Sequence, residues 1–238
     1  MRLHRFLLTE EIADRKEVII SDSDLIHQWR QVFRFTVGTQ LILFDNSGFE
    51  YLGLISKLSH LGAVVRILNK EDRSTSLPEV CLFAALIKKD NFEWIIEKTT
   101  ELGVSQIVPI ISDRSEKKGL NMIRAKKIIK EASEQSGRVK LTRLNEPTDL
   151  EELLKSLDKG DEEKVKIFSI DPKGKPFDEK ISAKIAREVG VFVGPEGGWT
   201  ERELELFKRK RIPIYSLGSQ ILRAETAAVA IASLLLLK

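Results

Sequence analysis

Hydrophobic and polar residues alternate over the first third of the chain, and this period of two predicts β-strands. The predicted strands are Arg2–Leu8, Glu17–Ser21, Thr39–Asp45, Phe49–Leu58 and Gly62–Asn69. The stretch Asp22–Phe33 interrupts them with a helical pattern, and Ser21 or Asp22 is its expected N-cap. Asn46 and Gly48 tolerate positive φ, so they predict a hairpin between two strands. Short strands around one helix, without a βαβ rhythm, predict a small β-barrel.

The polar stretch Asn69–Pro78 is the predicted linker, because the pattern changes after it. After this stretch, apolar runs that predict strands alternate with segments of helical pattern. The predicted strands are Val80–Ile87, Ser105–Ile111, Val139–Leu144, Val165–Ile170, Val189–Val193 and Ile212–Leu217. The predicted helices start at Asp90 and Thr200 or cover Leu120–Ser136, Thr148–Leu157, about Asp178–Glu188 and Ala224–Leu237. This order indicates an α/β domain with a mostly parallel sheet covered on both faces. The expected domains are residues 1–70 and 75–238.

Two of these helices carry sequence signals at their ends. Asp90 with Glu93, and Thr200 with Glu203, have the spacing of a capping box, in which the first residue is the N-cap. Gly103 is expected to end the helix that starts at Asp90.

Composition is that of a globular protein, with 42% hydrophobic and 32% charged residues. No apolar stretch approaches the roughly 20 residues needed to cross a bilayer, and the N-terminus turns charged early. We therefore expect a cytoplasmic protein without a membrane partner. Lys and Arg number 39 against 36 Asp and Glu, a net charge of +3 that does not by itself indicate a nucleic-acid partner. RNA binding would need a local basic patch.

Cysteine and histidine argue against a metal site. Cys81 is the single cysteine, so an internal disulfide and a Cys-rich metal site are excluded, and its apolar surroundings favour a packed thiol. His4, His27 and His60 lack zinc-ligand spacing. We expect no metal.

Ligands of parallel α/β sheets bind beyond the carboxyl ends of the strands. Three such ends stand out, at Leu86–Asp90, Val193–Trp199 and Ser216–Thr226. The second is Gly-rich but is neither G-x-G-x-x-G nor a P-loop, so a ligand bound by backbone groups is favoured over a diphosphate. A tight turn before a capped helix is the alternative. Arg223 and Glu225, at the start of the last helix, are either site residues or a solvated pair.

Several motifs occur together in a characteristic order. They are LHRFLL (3–8), IHQWRQVFR (26–34), EKTTELGV (97–104), SDRS (112–115), EASEQSGR (131–138), GPEGGWT (194–200) and LGSQILRAETA (217–227). This set resembles the RsmE family, which methylates N3 of a uridine in 16S ribosomal RNA of the small ribosomal subunit. The resemblance spans nearly the whole chain. Where that family usually has V-L-R, this sequence has Val32-Phe33-Arg34.

The resemblance implies a PUA-like RNA-binding barrel followed by a SPOUT methyltransferase domain with a trefoil knot, working as a homodimer. Periodicity and spacing do not indicate the knot. The cofactor would be S-adenosyl-L-methionine. By the same resemblance, its site would contain Leu86, Gly194, Glu196, Gly198, Leu217, Gly218, Ile221 and Leu222.

Methyl transfer from a sulfonium requires alignment with N3 and removal of the weakly acidic N3 proton. A cation can stabilise the uracil anion, and a carboxylate can accept the proton. We expect Arg223 in the first role and Glu225 in the second. The candidates for RNA binding are Arg5, Arg34, Arg114 and Arg138, and for Arg114 and Arg138 orienting the base is the alternative role.

Three other functions remain open from the sequence. A ribose 2′-O-methyltransferase of the same superfamily is disfavoured by the N-terminal domain and the LRAETA motif. A ribosome-binding module without activity is disfavoured because Gly194, Gly197, Gly198 and Gly218 are all present. An NAD-dependent dehydrogenase lacks its phosphate-binding fingerprint.

Overall fold

The computed structural model describes residues 3–73, 78–116, 119–157, 165–178 and 188–237. The chain forms two compact units. The first contains residues 1–75 and 133–140, and the second contains residues 76–132 and 141–238. In the described part of the chain, no helix combines the length and apolar character needed to cross a membrane.

The first unit contains a five-stranded sheet in the order β1-β3-β4-β5-β2. Its strands are β1 (Arg5–Leu7), β2 (Glu17–Ile20), β3 (Gln40–Phe44), β4 (Phe49–Leu58) and β5 (Ala63–Asp72). β1 pairs with β3 in parallel, and the other pairs are antiparallel. Helix α1 (Ser23–His27) continues as a π-helical turn, Gln28–Val32. The side chain of Asp22 accepts hydrogen bonds from two amides of α1, which confirms it as the N-cap.

One hydrophobic core fills this unit because its strands alternate buried and exposed positions. Trp29, Phe6 and Tyr51 are among its largest fully buried side chains. Asn46 and Gly48 have φ of 67° and 103°, which confirms the predicted turn between β3 and β4.

The predicted linker was wrong over its first residues. β5 continues to Asp72, which pairs with Phe49, so Asn69–Asp72 are strand residues. Their polarity reflects exposure of this end of the sheet: Lys70 lies 4.5 Å from the centroid of the Phe49 ring and 2.9 Å from Asp14. Residues 74–77 of the predicted linker lie outside the described residues.

Residues 133–140 belong to the first unit. The boundary falls within one helix, Met122–Ser136, whose residues up to Ala132 belong to the second unit. The amide of Leu7 donates to Oε1 of Glu134 over 3.0 Å. A Cβ at Gly137 would lie 3.2 Å from Nε of Arg5, so the segment packs directly on β1. Such contacts between distant residues leave no periodic signal, so they could not be predicted from the sequence pattern.

The second unit contains a parallel seven-stranded sheet in the order β12-β10-β11-β6-β7-β8, with β9 also paired to β7. The strands are β6 (Glu79–Ala85), β7 (Gln106–Ile111), β8 (Arg143–Leu144), β9 (Thr148–Asp149), β10 (Val165–Pro176), β11 (Glu188–Val193) and β12 (Ile214–Ser216). The helices are α2 (Lys89–Leu102), α3 (Met122–Ser136), α4 (Leu150–Ser156), α5 (Glu201–Arg209) and α6 (Ala224–Leu236). The predicted α/β class with a parallel sheet is confirmed.

Two hydrophobic clusters show that both faces of this sheet are covered. One contains Leu82, Val191 and Ile231, and the other contains Phe83, Phe192 and Phe207. Neighbouring residues of one strand thus belong to opposite clusters, as the pleat requires. Cys81 is half-buried on this sheet, and burial raises the pKa of its thiol to about 12, as fits a packed rather than a nucleophilic cysteine.

Several element boundaries differ from the predictions. Lys88, not Asp90, is the N-cap of α2, and its side chain forms no capping hydrogen bond. Gly103 ends this helix at φ 112°, as predicted. Only Arg143–Leu144 of the predicted strand Val139–Leu144 pairs with a neighbour. The helix predicted near Asp178–Glu188 falls mainly on residues 179–187, outside the described residues.

Candidate active site

A cavity of about 480 Å³ lies at the carboxyl ends of β12 and β11 and beside the point where β10, between them, stops pairing with β11 after Ile170. Its walls come from the segment Ile170–Lys173 in β10, the Gly-rich loop Val193–Trp199, and the loop from Leu217 to Leu222. Ala224 and Ala227 of α6 and the side chain of Arg114 complete it. This is where a parallel α/β sheet binds ligands, and the volume suits a small organic molecule.

Trp199 holds the Gly-rich loop in place. Its buried indole Nε1 donates to the carbonyl of Ile170 over 3.3 Å, which connects the loop after β11 to β10. A Cβ at Gly194 would lie 3.0 Å from Cε2 of this indole, so glycine is needed for their close approach. The amide of Gly198 donates to the carbonyl of Pro195 over 2.8 Å, and Gly198 has φ 68°. The loop is therefore a tight turn that packs against the indole of Trp199.

The third segment follows β12 and leads into α6. Gly218 has φ 127°, a conformation that side chains rarely adopt, while a Cβ there would meet no atom within 4 Å. The glycine is therefore needed for its backbone conformation rather than for space. Ile221 also lines the cavity although it is 85% exposed, so a ligand in the cavity would cover an apolar surface.

Asp171 is a cavity residue that the sequence analysis missed. It is 6% exposed, and its Oδ1 accepts the amide of Lys173 over 2.9 Å. Applying the strand-end rule to Val165–Ile170 would have found it, because Asp171 is the next residue. The cavity thus contains a buried carboxylate able to interact with a positively charged ligand group.

The SDRS motif forms a tight turn after β7. The amide of Ser115 donates to the carbonyl of Ser112 over 3.1 Å, and the amide of Ser112 donates to Oγ of Ser115 over 3.0 Å. Asp113 and Arg114 therefore occupy the middle of the turn. Nη1 of Arg114 donates to the carbonyl of Gly197, so this side chain reaches across to the Gly-rich loop.

A polar network fixes this turn to the start of α5. Glu203 is 1% exposed; its Oε1 accepts the amide of Asp113 over 2.9 Å, and its Oε2 accepts the amide of Thr200 over 2.7 Å. The Thr200–Glu203 capping box is thus confirmed, and it also binds a distant loop. We call Asp113, Thr200, Arg202 and Glu203 the turn clamp.

Arg202 completes the clamp. Its Nη2 lies 2.7 Å from Oδ1 of Asp113, and its Nη1 lies 3.0 Å from Oε2 of Glu151. The hydrogen bond from Arg202 holds the pKa of Asp113 below its usual value, and a second one from Thr200 acts in the same direction. The clamp carboxylate is therefore ionised at neutral pH.

The structure brings most of the predicted cofactor residues together around one cavity. Those that line it are Gly194, Glu196, Gly198, Leu217, Gly218, Ile221 and Leu222. Leu86, in contrast, is 1% exposed within the hydrophobic core and is not a lining residue in the described structure. Its side chain turns into the core, although it follows β6 at the same edge of the sheet.

The two predicted catalytic residues lie where the last loop meets α6. Arg223 is the N-cap position of α6, and its exposed side chain forms no capping hydrogen bond. It does not line the cavity, whereas the next residue, Ala224, does. Glu225 is half-buried, and its Oε2 is buried without a hydrogen-bond partner in the described structure.

The predicted RNA-binding arginines occupy different environments. Nε of Arg5 lies 2.8 Å from Oε1 of Glu50, which is 5% exposed, so Arg5 neutralises a buried carboxylate. Arg34 is exposed, with φ 54°. Burial lowers the pKa of Arg138 to about 10, which leaves it charged at neutral pH. Arg114 alone among these four lines the cavity.

The model of the RNA methyltransferase domain family matches residues 74–236, which include the whole cavity. The cavity is therefore that of an RNA methyltransferase domain.

A ribosomal RNA small subunit methyltransferase E from Helicobacter pylori strain J99 is 31% identical over 235 residues, covering 94% of this chain and 96% of that protein. The structure of such an enzyme from Neisseria gonorrhoeae, bound to S-adenosyl methionine, is 25% identical with a TM-score of 0.87, covering 98% of this chain and 96% of that one. A methyltransferase from Legionella pneumophila with bound cofactor SAM is 27% identical with a TM-score of 0.86, covering 99% and 97%. The chain belongs to the ribosomal RNA small subunit methyltransferase E family.

Proposed function

We propose that this protein transfers a methyl group from S-adenosyl-L-methionine to N3 of a uridine in 16S ribosomal RNA of the small ribosomal subunit. The observation that carries the proposal is the cavity at the ends of β11 and β12, beside β10, in a chain of this family. Two similar structures are named as bound to this cofactor.

The lining of the cavity fits the cofactor. Backbone groups of the Gly-rich loop and of the loop from Leu217 to Leu222 can recognise a base, and Val193 and Ala227 provide apolar walls. The carboxylate of Asp171 suits the positive charge of the ligand. When bound, S-adenosylmethionine supplies an activated methyl group, so the protein has to provide alignment and proton removal.

Glu225 is our proposed acceptor of the N3 proton, because among the described residues its buried Oε2 has no hydrogen-bond partner, although Glu225 itself does not line the cavity. A buried carboxylate oxygen without a donor is costly, which makes it a good acceptor for a substrate hydrogen. Arg223, two residues earlier, has an exposed guanidinium that can stabilise the negative charge left on the uracil.

For the first unit we propose a PUA-like fold that binds RNA. Its five strands with one short helix support this, as does the exposed Arg34. Arg138 remains a proposed RNA contact because it keeps its charge. Arg5 is a weaker candidate, because it is already paired with Glu50.

For the second unit we propose a trefoil knot and association as a homodimer. The strand order β12-β10-β11-β6-β7, with the last strand at the edge of the sheet, is compatible with the knot. Trp94 of α2 and Leu234 of α6 are 40% and 51% exposed, on two helices that pack together. Large exposed apolar side chains support an interface there.

The proposal is tested with purified protein, labelled S-adenosylmethionine and small ribosomal subunits that lack the modification. Mass spectrometry of the digested RNA is expected to detect 3-methyluridine. Label in a 2′-O-methylated nucleoside would instead support the ribose methyltransferase, and absence of label despite cofactor binding would support an inactive module. Light scattering at micromolar concentration is expected to give the mass of a dimer, whereas a monomer mass would contradict the dimer.

A further inference from the structure

We infer that Arg114 holds the acceptor uridine at the cavity mouth, and that the turn clamp exists to position it there. The inference rests on the proposed function and assigns a role to residues outside the cofactor loops. Its structural basis is the hydrogen bond from Arg114 to the carbonyl of Gly197 together with the fixed turn from which Arg114 projects.

The turn fixes the backbone from which the Arg114 side chain projects. Hydrogen bonds between Ser112 and Ser115 close the turn on one side. On the other side, Glu203 and Arg202 hold the backbone and the carboxylate of the preceding residue, Asp113. A group whose backbone is fixed on both sides loses little conformational entropy when it binds a ligand.

Gly197 makes room for the aliphatic part of Arg114. A Cβ at Gly197 would lie 3.1 Å from Cδ of Arg114, and the backbone of Gly197 does not have positive φ. Glycine at this position therefore serves the close approach of the arginine. The Gly-rich loop and the SDRS turn fit each other, which ties the placement of Arg114 to the loop that shapes the cavity.

The charges at the mouth distinguish Arg114 from its neighbours. Nζ of Lys173 lies 2.7 Å from Glu201, and Arg202 is paired with Asp113 and Glu151. In the described part of the chain, Arg114 forms no ion pair, and its hydrogen bond goes to a neutral carbonyl. Its remaining N–H groups can therefore donate to a ligand.

The substrate offers a matching partner. When N3 of uracil loses its proton, the negative charge spreads onto the two flanking carbonyl oxygens, and a guanidinium N–H can donate to one of them while N3 stays open to the methyl donor. The contact is stronger in the transition state than before proton loss, so it contributes to the rate. Cytosine replaces one of these oxygens with an amino group, which repels the guanidinium and favours uridine.

The test compares Arg114→Ala and Arg114→Lys with Arg202→Ala in the full-length protein. Arg209→Ala is the matched control, because Arg209 is an exposed arginine of the same helix as Arg202 and lies outside the clamp. Three quantities are measured: the Kd for S-adenosylmethionine by calorimetry, the single-turnover rate of uridine methylation, and the dependence of that rate on pH.

We expect Arg114→Ala to slow methylation about 100- to 1,000-fold, the usual effect of losing one preorganised donor. Its pH profile should move to higher pH, because the uracil anion is less stable without the cation. The Kd for the cofactor should change far less than the rate, and Arg202→Ala should show the same changes at smaller size. Arg114→Lys should recover only part of the rate, since an ammonium lacks the planar set of donors with which a guanidinium can bind the Gly197 carbonyl and a uracil oxygen together.

An Arg114→Ala variant with wild-type rate and pH profile would overturn the inference, as would a loss of cofactor affinity equal to the loss of rate. Equal effects of Arg209→Ala and Arg202→Ala would overturn the role of the clamp. Failure of the wild-type protein to form 3-methyluridine is a separate result and would contradict the proposed function itself.

Discussion

The α-carbon of Gly194 faces the indole of Trp199 so closely that a Cβ would lie 3.0 Å from Cε2. Cβ atoms rarely approach other atoms so closely, so an alanine here must displace the ring or the loop. Both belong to the wall of the proposed cofactor cavity.

Gly194→Ala is therefore expected to weaken S-adenosylmethionine binding about tenfold, since overpacking costs about 1–3 kcal/mol and part of that falls on the loop. Calorimetry measures the affinity. Gly119→Ala is the control, because a Cβ there meets no atom within 4 Å and its φ is not positive. If both variants bind the cofactor as the wild type does, the Gly-rich loop is not part of the site.

Gly218→Ala tests the backbone of the third cavity segment. Because Gly218 has φ 127° and open space around its α-carbon, we expect a conformational cost of about 1–2 kcal/mol rather than a steric clash. The loop should relax and the cofactor affinity should fall. Gly38→Ala imposes a comparable strain at φ 92° in the first unit and should leave the affinity unchanged. Equal affinities for the two variants would argue against this loop as a cofactor contact.

Arg223 should affect turnover without affecting stability. Its side chain is exposed and does not cap α6, so Arg223→Ala should change the free energy of unfolding by no more than about 0.5 kcal/mol. The single-turnover rate at saturating cofactor and RNA should fall about 100- to 1,000-fold. Thermal unfolding and rapid-quench methylation measure the two quantities. A wild-type rate in both Arg223→Ala and Arg223→Lys would exclude a catalytic role.

Arg34 is the best single position for testing RNA binding by the first unit. Arg34→Ala should weaken RNA binding and lower the slope of log K against log salt by roughly one, as expected for one lost phosphate contact. Titrations at several salt concentrations measure this slope. Arg5→Ala is unsuitable because it removes a partner of the buried Glu50 and would also destabilise the fold. An unchanged slope would show that Arg34 does not contact phosphate.

The contribution of the turn clamp to the stability of the fold should depend on pH in a defined direction. The pKa of Asp113 is lowered in the folded protein, so its ionisation stabilises the fold fully above the usual value of 3.8 and ceases to do so as pH falls through the lower folded value. Because Asp113 is partly exposed, the effect should be small. The difference in Tm between the wild type and Asp113→Asn should stay constant from pH 7 to about 5 and shrink below the usual Asp pKa. A difference that already disappears between pH 7 and 6 would contradict this.

The fold was largely predictable because its strands and helices follow periodic patterns of apolar residues in the sequence. Apolar runs located the strands of the parallel sheet, and the Thr200–Glu203 pair located the start of α5. The spacing of Asp90 and Glu93 led to a wrong N-cap prediction. The helix already begins at Lys89, so Asp90 lies in its first turn. The end of β5 was not predicted as a strand. Its residues are polar because both faces of the strand are exposed there.

The cavity was only partly predictable from the sequence. Two of its walls were predicted from glycines and from the carboxyl ends of predicted strands. Asp171, directly after the predicted strand Val165–Ile170, was not predicted, and β10 in fact continues past it to Pro176. Leu86 also comes directly after a strand, β6, but its side chain points into the hydrophobic core. Within the clamp only the Thr200–Glu203 capping box was predictable. The bond from the Asp113 amide to Glu203 was not, because the two residues are 90 positions apart and nothing local in either segment indicates it.

Residues 133–140 complete the first unit, so this unit is assembled from two stretches of chain separated by β6, α2, β7 and most of α3. During synthesis on the ribosome, β1 emerges long before Glu134 and Gly137, which pack against it. The N-terminal unit therefore reaches its final form only after much of the second unit has been translated. Nascent chains halted at residue 75 should be more sensitive to protease than chains released beyond residue 140, since only the latter contain the whole of the first unit.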